Sequence, residues 1–311
     1  MEDRTERFSN EVLKSILLED MVLNRMQSRD VFLVENYLAP IHVREHIVKT
    51  LLQRLNVPRI YFINSSSASM LACGGDTGIV VDVGYREIRV VPVCYGAVQN
   101  FAITYRPGGH VAIRKRIADP KLKELGSDEL DRFLRTVCTV RINKEPESKE
   151  EEEKEETIQF KTKSGVVITV PESLRWKPCE VLFEKDQDGE DFVTTFLNAV
   201  MRCPVDVRAL VVQNVIVLGG VVAAFPNMAQ RMEMELKRAS SKTHPEHLLA
   251  VSCVQKSLRV RHSVVFPADH VAWTGASILA SSENPKLLKG IRSVTKESYD
   301  GLDVPDEFSL A

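Results

Sequence analysis

Apolar residues fall into two kinds of pattern along this chain. Short unbroken runs alternate with stretches of helical spacing. The runs are Asp30–Glu35 (DVFLVE), Arg59–Ile63 (RIYFI), Ile79–Val81 followed by Ile88–Val93, and Val215–Leu218 (VIVL). Runs of this length, bounded by turn residues, read as buried strands. Helical spacing links Val12, Ile16, Leu17 and Met21 behind a capping Ser9, and Val43, Ile47, Leu51 and Leu55 after Pro40. It recurs as a thin stripe from Leu122 to Val137, over Phe192–Met201, and at Met228, Met232 and Leu236. These methionines read as core. Asn56-Val57-Pro58 should end the helix after Pro40. Asn64 and the serines after it should start a short helix that stops near Gly74.

Further elements follow the same logic. Phe160–Val170 (FKTKSGVVITV) predicts a hairpin that turns at Ser164-Gly165. Asp206–Asn214 predicts a short helical approach, and Val264–Phe266 a strand. Asp269 should cap a last helix carrying Val271, Trp273, Ile278 and Leu279, in which Gly275 and Ala276 permit close packing. Strand, helix, strand, helix, hairpin indicates an α/β fold with a mixed sheet. Length suggests two lobes. We expect one from residues 1–106 with 241–311, and a second from 107–240. The second would carry an acidic insertion at 144–156 (KEPESKEEEEKEE), too charged to bury surface.

Composition narrows the function. Lys plus Arg number 41 against 43 for Asp plus Glu, a net charge of −2, so no nucleic-acid-binding field is expected. No apolar run approaches the ~20 residues that span a bilayer. The charged start, MEDRTERFSNE, does not read as a secretory signal. The six cysteines stand singly, without a C-x-x-C pair, and read as reduced, mostly buried thiols of a cytoplasmic protein. No metal site is expected.

The stretch Gly74–Gly96 (GGDTGIVVDVGYREIRVVPVCYG) carries the candidate chemistry. Asp82 ends one strand and Gly84 turns the chain into the next. Such a turn can offer backbone N–H groups to phosphates and a carboxylate to a hydrated metal. It is equally what an ordinary hairpin turn contains. A second glycine turn, Gly219-Gly220, follows the strand VIVL. It too reads either as part of a ligand site or as a tight strand-to-helix turn. Asp82, Gly84, Gly219 and Gly220 are the candidate site residues.

The hairpin resembles the second phosphate loop of the actin family. NVPRIYFINSSSASMLACG upstream, and RWKPCEVLF, RCPVDVRALVVQNVIVLGG, HVAWTGASILASS and TKESYD downstream, resemble successive actin segments in the same order. The resemblance covers about four fifths of the chain and implies an actin-like, two-lobed α/β fold of the actin, chaperone and sugar-kinase superfamily. Tyr85-Arg86-Glu87 after Gly84, Cys203-Pro204-Val205-Asp206, and Ser293–Glu297 resemble the actin-related branch found at the pointed end of dynactin.

Several departures bear on activity. The glycine-rich first phosphate loop of actin has no counterpart, so we expect an N-terminally truncated form or a start lying elsewhere. The water-positioning glutamine of actin would fall at Ser65. The lysine and glutamate that hold adenosine would fall near Leu134 and Arg135. Val221 and Val222 replace hydroxyl residues after Gly219-Gly220. Hydrolysis needs metal, phosphate cradle and oriented water together. The expectation is therefore a non-enzymatic subunit with no required cofactor and at most weakly held ATP or ADP. Its implied partners are the actin-related filament subunits and other pointed-end subunits of dynactin, and through them dynein and microtubules. The alternative is an actin-like ATP-binding protein or ATPase of another assembly.

Overall fold

The computed structural model describes residues 28–36, 40–117, 119–142, 156–262, 266–281 and 290–299. The helix expected around Ser9–Met21, the acidic run up to residue 155, and Val264 and Val265 lie outside the described residues. The chain divides into two compact units, Met1–Ala68 with Ala272–Ala311, and Ser69–Val271.

The first unit holds a three-stranded sheet. β1 (Val31–Glu35) pairs in parallel with β2 (Arg59–Asn64), and β11 (Ser293–Thr295) pairs antiparallel on the other side of β2. Between β1 and β2 runs α1 (Ile41–Lys49), which continues as a π-helical turn over Thr50–Arg54. Val48, Leu51 and Leu52 pack with Val57, Ile60 and Val294. Asn56 then adopts a left-handed conformation (φ 54°), which asparagine tolerates, and the helix stops there. Glu35 and Arg44 form a buried two-pronged ion pair, with both contacts at 2.8 Å, that ties β1 to α1. Burial pushes the Glu35 carboxyl up, against the pull of Arg44. At the end of β2 the Asn64 side chain accepts from the amides of Ser66 (2.9 Å) and Ser67 (3.4 Å). That is an N-cap, and it starts α2 (Ser65–Ala72) where the serine cluster predicted it. In the last helix Gly275 packs on the Ala68 carbonyl so closely that a Cβ would collide with it.

The second unit is built on a six-stranded sheet. Its elements, in chain order, are β3 (Gly78–Val83), β4 (Glu87–Cys94), β5 (Ala97–Val98), β6 (Thr104–Pro107), α3 (His110–Arg116), α4 (Pro120–Lys123) and α5 (Ser127–Val137). A separate hairpin, β7 (Thr157–Lys161) and β8 (Val167–Pro171), turns at Gly165 (φ 89°). Then come α6 (Phe192–Arg202), α7 (Arg208–Val211), β9 (Val215–Gly219), α8 (Met228–Arg238), α9 (Leu248–Ser257), β10 (Val260–His262) and α10 (Val271–Ala280), whose remaining residues belong to the first unit. The sheet order is β10-β9-β3-β4-β5, with β6 also on β4. β9 lies parallel to both β10 and β3, while β4 runs antiparallel to β3.

Alternation sends Ile79, Val81, Val83, Ile88 and Val90 into the main core, with Phe133, Phe196, Met228, Met232 and Leu236. Val80, Val91, Val93, Ile216 and Leu218 go to the opposite face, with Met70. Both faces are covered, which is why these strands read as unbroken apolar runs.

This pairing departs from the expected lobes. A boundary at residue 106 or 240 would put β3 and β4 in one body and β9 in the other. Instead, β3 is hydrogen-bonded along its length to β9, and one core spans both. The Leu122–Val137 stripe, expected to be helical, forms two helices, α4 and α5, separated around Gly126.

Arg231 of α8 is wholly buried. Its guanidinium meets Glu180 through both terminal nitrogens (3.1 and 3.0 Å) and Glu235 through Nε (2.7 Å), and donates to the Arg141 carbonyl at 2.6 Å. It also stacks on Phe183, 4.7 Å from the ring centroid. Removing one partner of such a buried network strands the others. Arg231→Ala should therefore lower unfolding free energy by about 3–5 kcal/mol, seen as a large drop in the urea midpoint. An unchanged midpoint would show that Glu180 and Glu235 find water instead.

Candidate functional site

β3 and β9 run side by side in the same direction, with Asp82 opposite Leu218 and Val83 opposite Gly219. Their C-terminal ends therefore open on the same edge of the sheet. Gly84 follows one strand and Gly219-Gly220 closes the other, so the structure brings the four candidate residues together. Ser65 belongs to the other compact unit.

The two glycine turns differ in what they demand. Gly219 has φ 133°, and a Cβ there would collide with the Val83 carbonyl oxygen. Only glycine fits. Gly220 has open space around it, so packing does not require a glycine there. At Gly84 a Cβ would sit 3.2 Å from the Glu87 oxygen, a tight but smaller conflict. The Gly84 amide donates to that oxygen at 2.9 Å and closes the turn.

The β3–β4 turn is held from behind. Gly108 N–H donates to Arg86 O (3.0 Å), His110 N–H to Gly84 O (3.2 Å) and Val111 N–H to Tyr85 O (2.9 Å). Gly109, at φ 80°, has no room for a Cβ against the Gly84 oxygen. His110 is buried, leans on the exposed Tyr85 ring (5.4 Å between centroids), and keeps Nε2 2.9 Å from Asp131. Burial pulls its pKa down, although Asp131 acts to raise it. The Tyr85 and Arg86 amides make no hydrogen bond among the described residues.

Asp82 does not stand alone. Antiparallel register puts Arg89 of β4 directly across from it, with Nη2 of Arg89 3.9 Å from Oδ2 of Asp82. Arg89 Nε also lies 3.0 Å from a Glu87 oxygen, but off the line of a hydrogen bond, so this buried N–H has no hydrogen-bond partner. Burial pushes the Asp82 carboxyl up; Arg89 opposes that, and Glu87 adds to it. A hydrated metal at Asp82 would have to compete with a guanidinium already in place.

The remaining sequence-predicted positions are committed elsewhere. Ser65 donates its hydroxyl to Asn36 at 2.8 Å. Leu134 is buried in the main core, and Arg135 reaches Asp269 at 3.5 Å on the surface. Val221 and Val222 are buried in the same core. Among the described residues no cluster of His, Cys, Asp or Glu could hold a metal ion, and all six cysteines are free thiols. No helix among them is long and apolar enough to cross a membrane. Sequence reasoning missed Arg89, Gly109 and His110. The signal for Arg89 was available: pairing outward from the turn puts it opposite Asp82.

Two outcomes test this geometry. Gly219→Val should destabilise the protein by about 1–3 kcal/mol for the backbone alone, with the collision against Val83 added; a melting curve matching wild type would mean that the turn relaxes freely. The second concerns pH. The folded state raises the Asp82 pKa above the unfolded 3.8, so folding takes up a proton there and stability is lost as pH rises from 3.8 through the folded value. Asp82→Asn removes that loss. Urea unfolding across a pH series should show the variant gaining on wild type as pH rises through this window. The opposite slope would mean that Arg89 favours the ionised carboxylate more than burial penalises it.

A family model described as actin matches residues 6–127 and 129–301. The match runs through both compact units and includes all four candidate residues. With the mixed α/β architecture above, it supports an actin-like fold, and the chain belongs to the actin family.

Proposed function

We propose that this protein is a non-enzymatic actin-related subunit whose work is binding. The observation that carries this reading is the Asp82–Arg89 pair. A side chain that would hold a hydrated metal in an actin-like site is instead buried against the protein's own cation. Three further features support it. Val221 and Val222 turn inward after the second glycine turn, Leu134 is core, and the short Ser65 side chain is spent on Asn36. These residues do not fit a metal-bound nucleoside triphosphate.

Membership of the actin family favours association with other actin-like subunits. The finer assignment rests on Tyr85-Arg86-Glu87, Cys203–Asp206 and Ser293–Glu297, which resemble members at the dynactin pointed end. On that reading the partners are actin-related filament subunits and neighbouring pointed-end subunits. The protein would then support dynein-driven transport on microtubules in the cytoplasm.

Two measurements check the proposal. Purified protein with ATP and magnesium should release phosphate no faster than buffer. Turnover abolished by Asp82→Asn would instead favour the nucleotide-dependent alternative. A tagged copy should recover dynactin subunits from cytosol, while the pure chain stays in the supernatant on sedimentation. Recovery without dynactin subunits, or filaments that grow with concentration, would reject the assignment.

A further inference from the structure

Two buried cysteines meet where α5 ends. Cys138 follows that helix, and Cys179 lies in the 3-10 turn Lys177–Leu182. Both are sealed from solvent, at 2% and 0% exposure. The backbone holds the two segments against each other. Thr139 N–H donates to the Arg175 carbonyl at 2.9 Å, and Arg175 Nε donates to the Val137 carbonyl at 3.2 Å. Cys138 Sγ addresses the Leu174 carbonyl and Cys179 Sγ the Arg175 carbonyl, each at 3.9 Å. The thiols thus point at successive carbonyls of one turn. The neighbouring Cys138 thiol, with burial behind it, pushes the Cys179 thiol well above the ordinary thiol range.

We propose that Cys138 and Cys179 form a dithiol that closes to an intramolecular disulfide when the protein meets hydrogen peroxide. The Cys138 thiol loses its proton and its thiolate attacks one peroxide oxygen. The O–O bond breaks, leaving a sulfenic acid on Cys138; the departing hydroxide takes up the proton and leaves as water. The Cys179 sulfur then attacks the sulfenyl sulfur, the S–O bond breaks, and its hydroxide leaves with the Cys179 proton as a second water. Two thiols are oxidised and one peroxide is reduced. Burial gates the reaction through local opening, so a small oxidant is the fitting class. The second cysteine neighbourhood supplies a comparison within the same molecule. Cys203 is pushed up to about 12, chiefly by burial and then by Cys94 nearby, with Arg208 opposing. Its Sγ is bonded to the Ala199 carbonyl at 3.4 Å.

The test uses the full chain, reduced and then exposed to hydrogen peroxide. The protein is unfolded in an alkylating reagent, digested, and mapped with and without reduction. The expected result is a linked peptide pair containing Cys138 and Cys179 as the dominant new species. Cys94 and Cys203 should remain alkylated. Neither Cys138→Ser nor Cys179→Ser should give the linked pair. The oxidised wild type should also melt at a higher temperature than the reduced form, because the bond closes the loop over residues 139–178. Wild-type mapping decides the pairing even if a variant folds poorly. Both thiols recovered alkylated, a link to any other cysteine, or oxidation to sulfinic or sulfonic acid without a link would each overturn the proposal.

Discussion

Gly219 sits with its Cα against the Val83 carbonyl, where no Cβ fits, and this contact sets how closely β9 lies against β3. Everything in the larger unit follows from that approach. β3 is the central strand, with β4 on one side and β9 on the other, and both of its faces are covered. If β9 were displaced, Val215 and Val217 would leave one core and Ile216 and Leu218 the other. The same contact places two glycine turns on one edge of the sheet. Site geometry and core geometry are thus one constraint, and a change at Gly219 cannot touch either alone.

Charge is used in contrasting ways. Arg231 and Glu180, and likewise Arg44 and Glu35, are buried pairs with directed hydrogen bonds, and each joins segments far apart in sequence or in different elements. Asp82 and Arg89 are also largely buried, but they sit 3.9 Å apart and a guanidinium N–H is left without a hydrogen bond. The first two pairs fasten elements together. The third sets a guanidinium near a carboxylate without directed hydrogen bonds between them. Tyr85 and Arg86 at the turn tip are then surface, held from behind by the start of α3.

Much of this architecture was legible in the sequence because local rules and tertiary packing agree. The Asn64 cap, the Gly165 turn, the left-handed stop at Asn56 and the inward methionines of α8 all sit where propensity and spacing put them. Failures arose where long-range pairing decides. Nothing local in VIVL says that its neighbour is Ile79–Val83, so the lobe boundary was misplaced. α9 (Leu248–Ser257) was not foreseen, because Leu248 and Leu249 stay exposed while Ala250, Val251 and Val254 pack, which blurs its periodicity. Of the candidate site, the glycine turns were legible as turns. Their meeting was not, and neither was the charge that answers Asp82, since both depend on register across strands.

The separation between β3 and β9 also bears on how the protein is made. On a ribosome, the partner of β3 cannot arrive until residues 84–214 have been added. At ~5–20 residues per second that is on the order of ten seconds. Through that interval the strand Gly78–Val83 can pair with β4, but its other edge and much of its apolar surface have no native cover. An unpaired, strongly apolar edge is the template on which chains aggregate. The nascent chain therefore passes through a long-lived half-sheet whose open side needs shielding, and its yield in a cell should depend on the supply of holding factors more than on final stability.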